Sequence, residues 1–432
     1  MGVKPVRWDA EATVAPAPVL HRARFVLPIT APPVAAGAVL VAGDTIRAVG
    51  RYRDLAPHHA GVVADHGDAV LLPALVNAHT HLELSALAGQ IPEGLDFGEW
   101  LGETATQAAA LTDAAAAPAI DAAIAALVDT GTGLIGEVTG TGRAVAALAR
   151  SPLAARVFHE VLAFDPRAAE PALAAARERL AAGEALSPSG AGRLRHSLAP
   201  HAPYTVSMRL LRLIRGVNGQ DARPTTIHLA ESPAESEFFA TGAGPLAELK
   251  RRFGTTVSGW EAPGESPVVY LARLGWFEAP QLAVHLTQLS TRDVEILRRA
   301  PAVTACLCPR SNRALGAGTA PASALAAAGI PLALGTDSLA SAASLSLFDE
   351  VAAAAADYNL EPGDLIAAAT RGGARALGFG AELGALAPGY RARMIMVAAP
   401  PGVALGDDPY SVLLDGPGPA RIRWVSPDWL SG

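Results

Sequence analysis

Cysteine, aromatic side chains and positive charge are all scarce in this chain. Only two cysteines occur among 432 residues, Cys306 and Cys308 in "ACLCPRSN". One residue apart in an extended segment, they are badly placed to bond to each other. A disulfide-stapled secreted scaffold is thereby excluded, and a reducing cytoplasm is the expected location. Lysine and arginine number 34 against 41 aspartates and glutamates, a formal net charge of -7. The basic clusters Lys250-Arg251-Arg252 and Arg298-Arg299 are short and read as solvated helix faces. A nucleic-acid polymer is therefore not an expected partner. No run of about twenty residues stays apolar without interruption, so no membrane span is expected. The opening stretch "MGVKPVRWDAEATVAPAPVL" has no compact apolar segment after a basic start, and no signal peptide is read there. Half the residues are hydrophobic. That composition and length suit one large catalytic domain with a small appendage.

Along the chain the texture changes twice. The first seventy positions hold short apolar runs such as "RARFVLPI", broken by Gly, Pro and Asp, as in small antiparallel strands. From "AVLLPALVNAHTH" onward, short apolar strands alternate with Ala- and Leu-rich helical stretches. One of these, "TATQAAALTDAAAAPAIDAAIAALVDTG", reads as a single helix ending at glycine. Eight such strands in alternation predict an α/β fold, a (β/α)8 barrel of the TIM type. After "ATRGGARALG" short β-like pieces return. The expected organisation is residues 1–70 and 381–432 forming a small β-sandwich domain from both chain ends, around a barrel at 71–380. No fixed-period repeat stands out.

Active sites of such barrels lie where strands end. His79 and His81 end the first predicted strand, His228 the fifth, His285 the sixth and Asp337 the eighth. One histidine so placed is ordinarily structural. Four histidines and an aspartate at the same end of one barrel point to a metal, for which imidazole and carboxylate are suitable ligands. Spacing alone does not divide ligands from base. Glu231, three residues after His228, is a carboxylate within reach of a reacting atom and a candidate proton shuttle.

The motifs "LLPALVNAHTHLE", "PHAPYTVS", "HLAE", "VH", "CPRSN" and "LGTDS", in this order over nearly the whole chain, resemble the amidohydrolase superfamily. The resemblance implies that His79, His81, His228 and Asp337 hold one divalent metal, zinc first, with iron or manganese compatible. It implies that His285 and Asp337 orient the attacking water and take its proton, while Glu231 protonates the ring nitrogen and helps release ammonia. Dinuclear members place a bridging carboxylated lysine or a glutamate around strand 4. Here that strand carries His201 and no lysine, which implies a single metal, as in the deaminase and chlorohydrolase branch. Two departures, Pro73-Ala74 for the usual Pro-Gly and Ala392-Arg393-Met394 for Ala-Asp-Leu, fall outside the ligand set.

Within the branch, "NAHTHLELS" followed by "FGEWL" is most similar to the aminodeoxyfutalosine deaminases of menaquinone biosynthesis. Deaminases of S-adenosylhomocysteine and methylthioadenosine are related, but usually carry a ribose-binding glutamate shortly after the tryptophan. Here Ala109 stands near that position, and Glu103 is closer to Trp100. The resemblance thus implies a nucleoside-like small-molecule substrate. The expected pocket residues are His201, Asn312, Glu83, Trp100 and Glu160, with Arg310 as partner of the substrate's benzoate carboxylate. Glu83 is equally placed to bond a ligand histidine. The segment "RRFGTTVSGWEAPGESP" is a candidate cover for the pocket, and relatives are often homodimers. A deaminase of S-adenosylhomocysteine or methylthioadenosine, or of another nucleobase, a triazine-type chlorohydrolase, and a scaffold relative without catalysis are the competing readings.

Overall fold

The computed structural model describes residues 17–187 and 192–425. Five strands come first: β1 (Val19–Val26), β2 (Val34–Ala42), β3 (Thr45–Arg51), β4 (Val62–Asp65) and β5 (Ala69–Pro73). Gly43 and Asp44 join β2 to β3, and Gly43 has φ +62°, the left-handed conformation such a two-residue hairpin loop requires. Eight barrel strands follow: β6 (Leu75–Thr80), β7 (Thr132–Thr139), β8 (Ala154–Val161), β9 (Leu194–Pro200), β10 (Thr225–Leu229), β11 (Gln281–His285), β12 (Val303–Leu307) and β13 (Leu332–Leu334). The chain closes with β14 (Met394–Ala398) and β15 (Ile422–Trp424).

Strands β6 to β9 and β10 to β13 each pair in parallel and in sequence. The two halves meet at both seams. At one, the His228 amide donates to the His201 carbonyl at 2.9 Å; at the other, Thr80 bridges Asp337 in parallel. The result is the eight-stranded barrel with helices outside it. Covered on both faces, β6, β10, β11 and β12 are buried at every residue, and none of them carries an Asp, Glu, Lys or Arg.

Both chain ends join one sheet, ordered β15-β14-β5-β1-β2-β3 with β4 beside β1. Strand β5 is its hinge, parallel to β1 at Phe25–Val70 and antiparallel to β14 at Leu71–Met396. Val26, Val39, Ile46, Leu71 and Met394 fill the core on one side of it. The described strands thus form a single seven-stranded sheet rather than the two facing sheets of the expected sandwich. Alternating burial shows that a strand has two faces but not which strands share a layer. β5 belongs to this sheet, and the barrel begins at Leu75.

The long helix expected between the first two barrel strands is two helices, Phe97–Ala110 and Asp113–Asp129, bent by 112°. Thr112 makes the break: its side chain accepts from the Ala115 amide and starts the second helix. Among the described residues no single helix is long and apolar enough to cross a membrane; this bent pair passes the same test only when its two halves are taken together.

Candidate active site

The carboxyl ends of the barrel strands gather the histidines. The Nε2 atom of His81 lies 3.2 Å from that of His79 and 3.4 Å from that of His228. Asp337 Oδ1 stands 3.7 Å from His79 Nε2 and 3.6 Å from His81 Nε2. One donor atom from each of the four residues lies within 4.8 Å of every other. His228 donates its Nδ1 proton to the His201 carbonyl at 2.9 Å, so its Nε2 lone pair points at the cluster. Burial lowers the pKa of all three histidines, His79 to about 4, and keeps the rings neutral. Neutral nitrogens this close cannot all pair by hydrogen bonds. Zinc–nitrogen bonds of about 2.0–2.1 Å in a tetrahedral site separate the nitrogens by about 3.3 Å. The donor set and its spacing fit one such ion.

Backbone and neighbouring hydroxyls aim the carboxylate. Asp337 has φ +59°, and its amide donates to the His79 carbonyl at 3.1 Å. Asp337 Oδ2 accepts from Ser311 Oγ at 2.6 Å and Ser341 Oγ at 2.9 Å, leaving Oδ1 for the cluster. The surrounding histidines hold this carboxyl well below its usual range against the opposing effect of burial. Gly335 allows the approach, because a Cβ there would lie 2.8 Å from that of His79. His285, at φ +72°, is a second non-glycine residue in the left-handed region at a strand end. Such strain persists where the surroundings over-determine it, often at functional sites.

His285 and Glu231 face each other at 3.5 Å, Nε2 to Oε1. The Nδ1 proton of His285 goes to Asn312 Oδ1 at 2.8 Å, which leaves Nε2 unprotonated in the neutral ring. Burial pushes the Glu231 carboxyl up to about 7, near the midpoint of its titration at neutral pH. Glu235 Oε2 accepts from the Glu231 amide at 2.8 Å, and Thr287 donates to the Glu231 carbonyl at 2.7 Å. The pair therefore holds an unprotonated imidazole beside a carboxyl able to gain or lose a proton.

A cavity of about 570 Å³ opens over these groups, lined by His81, His228, Glu231 and Asp337 together with Trp100, Glu160 and His201. That volume suits a drug-sized or nucleoside-sized ligand. Thr205 Oγ1 uses its own proton on the Ala202 carbonyl, so it accepts from His201 Nδ1 at 2.9 Å; His201 Nε2 is then an acceptor. Burial raises the Glu160 carboxyl to about 8, and its Oε1 has no hydrogen-bond partner among the described residues. Glu160, His201 and His228 form a second close group of donor atoms sharing His228 with the first. Phe253 and Thr255, from the segment expected to cover the pocket, line the cavity.

Three expected pocket residues serve other groups. Glu83 borders the cavity, but its carboxylate accepts from the Thr141 hydroxyl and the Gly140, Thr141 and Arg143 amides. It ties down the loop after β7 and bonds none of the clustered histidines. Asn312 orients His285 and is not among the lining residues. Arg310 is also outside the lining, with Nη1 on the Ser344 carbonyl at 3.2 Å and hydroxyl at 3.0 Å, and 3.5 Å from buried Glu350. Its partner lies forty residues downstream, which no local pattern announces. Ser311 and Ser341 were missed, though Ser311 lies inside the quoted "CPRSN". Cys306 and Cys308 are buried free thiols packed between strands.

The sequence model described as "Amidohydrolase family" matches residues 70–417. The chain is 36% identical over 350 residues to the aminodeoxyfutalosine deaminase of Deinococcus radiodurans, covering 79% of this chain and 81% of that one. It is 30% identical over 387 residues to the 5-methylthioadenosine/S-adenosylhomocysteine deaminase of Moorella thermoacetica, covering 86% and 83%. Among solved structures, an adenosine deaminase from Xanthomonas campestris with bound zinc superimposes with a TM-score of 0.79 at 28% identity, covering 94% of this chain and 90% of that one.

Proposed function

The chain belongs to the amidohydrolase family and is a hydrolase of carbon–nitrogen bonds; from that premise we propose that it deaminates an adenosine-type nucleoside, aminodeoxyfutalosine in menaquinone biosynthesis. The observation that carries the reading is the convergence of three neutral imidazoles and one carboxylate beside the facing pair His285 and Glu231. His79, His81, His228 and Asp337 would hold a divalent ion, zinc first and iron or manganese as alternatives. Such an ion, when bound, makes water a competent nucleophile near neutral pH.

The remaining work falls to the side chains. His285 Nε2 accepts the proton of the attacking water, with Asn312 fixing the ring. Asp337 Oδ1 orients that water. Glu231 donates a proton to the ring nitrogen next to the amine-bearing carbon as water adds, then carries a proton to the departing ammonia. A carboxyl held near 7 suits both halves of that task. His201 Nε2 accepts a hydrogen bond from the nucleoside, while Glu160 and Trp100 border it. Glu83 and Asn312 act as positioning residues. Two buried free thiols are compatible with work in the cytoplasm.

Support for aminodeoxyfutalosine over S-adenosylhomocysteine comes from the helix after Trp100. Ala108 and Ala109 line the cavity there, and Glu103 is outside the lining, where it accepts from Gln107 at 2.8 Å. Ammonia release by the metal-loaded protein tests the reading against aminodeoxyfutalosine, S-adenosylhomocysteine, methylthioadenosine, adenosine and guanine. Turnover of aminodeoxyfutalosine, abolished by Glu231→Gln, is expected. Turnover of another nucleoside alone would move the substrate and keep the mechanism. No release from any of them by metal-containing protein would overturn the deaminase reading.

A further inference from the structure

Lys250 contradicts its sequence context. In the basic run Lys250-Arg251-Arg252 the two arginines are exposed, yet Lys250 is only 7% exposed. It lies on the helix Pro245–Arg252 and is the sole lysine or arginine among the described residues lining the cavity. Its Nζ sits 3.3 Å from the centroid of the Phe164 ring and 5.5 Å from that of Phe238. No carboxylate or carbonyl bonds that ammonium among the described residues. Attraction to an aromatic face returns only part of the hydration an ammonium loses on burial. Burial accordingly lowers the Lys250 pKa to about 7.

Position and surroundings indicate what would complete the site. The helix carrying Lys250 packs on the helices Phe97–Ala110 and Pro233–Thr241, whereas His79, His228 and Asp337 stand at the barrel strand ends. Lys250 therefore borders the cavity from its helical side. Around it are Leu246, Leu249 and Phe253, an apolar wall with a single cation. A phosphate dianion needs several donors, whereas one ammonium in an apolar wall matches one carboxylate on a ring or hydrocarbon chain. Arg310, the other candidate for an anion, is already engaged by Ser344 and Glu350.

We propose that Lys250 is a specificity-determining residue that pairs with a carboxylate on the part of the nucleoside remote from its amine. The assignment rests on the deaminase reading for its substrate, and on the cavity alone for its ligand chemistry. Lys250→Met keeps the apolar stem and removes the charge. It is expected to raise KM for aminodeoxyfutalosine by about 10- to 100-fold, the loss of one charge-assisted bond, with kcat unchanged. Turnover of methylthioadenosine, whose tail is neutral, stays within about 2-fold of the parent, and Lys250→Arg restores part of the loss. Equal losses on both substrates, or none on either, would overturn the assignment. If the parent deaminates neither, the deaminase reading has failed, and binding of benzoate against benzamide to the metal-loaded protein decides on Lys250. Benzoate weakened by Lys250→Met with benzamide unaffected supports it; equal binding of benzoate to parent and variant overturns it. Should Lys250→Met fail to fold, the pair Lys250→Gln and Lys250→Arg carries the same comparison.

Discussion

His159 on β8 and His196 on β9 lie in the same barrel as His79, His81 and His228, equally deprived of water, yet resolve their burial differently. Ser187 gives its hydroxyl proton to the Gly183 carbonyl and so accepts from His196 Nε2 at 2.8 Å. His196 Nδ1 is then an acceptor, and His159 Nε2 donates to it at 3.1 Å. Donor alternates with acceptor, and no carboxylate belongs to the group. At the strand ends, by contrast, three Nε2 atoms converge with Asp337 Oδ1, and no assignment of protons satisfies them together. Histidine proximity is therefore not the signal of a metal site. Nitrogens that converge on one point together with a carboxylate oxygen are that signal, and here His228 is also fixed from behind by the His201 carbonyl.

The largest expected effect falls on proton transfer at the convergent end. Glu231→Gln should lower kcat for ammonia release by about 10²- to 10⁴-fold while metal content, read by atomic emission, stays at the parent level. Asn312→Ala should lower kcat by about 10-fold or more through the loosened His285 ring, again with metal retained. Were Asn312→Ala to leave kcat untouched, the ring would not need its rear hydrogen bond. At the paired histidines the effect moves from rate to stability. His196→Ala should cost about 1–3 kcal/mol in urea unfolding, with kcat per folded molecule unchanged.

Acid sharpens the contrast further. Burial lowers His159 to about 3 and His196 to about 4, from an ordinary value of 6.5. Between about 4 and 6.5 the unfolded chain therefore binds more protons than the folded one, and stability falls as pH drops through that window. Urea unfolding at pH 7 and pH 5 should show the loss, and His196→Ala should reduce its slope. A slope unaltered by that substitution would place the acid sensitivity elsewhere, for instance at His21, which burial also lowers to about 4. The smallest effect is expected at Arg310→Gln, whose KM for the nucleoside should stay within about 2-fold of the parent, since Arg310 is outside the cavity lining and engaged by Ser344 and Glu350.

The alternation of short apolar runs with Ala-rich helices was enough to read eight barrel strands, because burial on both faces leaves short segments with few charged residues. The residues just beyond those runs were legible for the same reason: the end of a buried strand is where a polar side chain can be presented. What escaped were side-chain contacts with partners distant in sequence at positions that no strand end marks. Arg310 turns to Ser344 and Glu350, and Asn312 turns to His285; none of these lies within a local window. Lys250 looked solvated because its neighbours are, yet the turn of its helix sends it inward. Thr112 was different, a legible cap within "LTDAAAA" overridden by the uniform alanine content around it. The arrangement of the end sheet depends on β5 joining β1 to β14, a pairing between segments more than three hundred residues apart.

Metal content of the purified protein and two alanine variants tests the contrast most directly. One equivalent of divalent metal is expected in the parent and in His196→Ala, and none in His228→Ala. Retention of metal by folded His228→Ala, or its loss from folded His196→Ala, would contradict the assignment of the convergent histidines as the metal site.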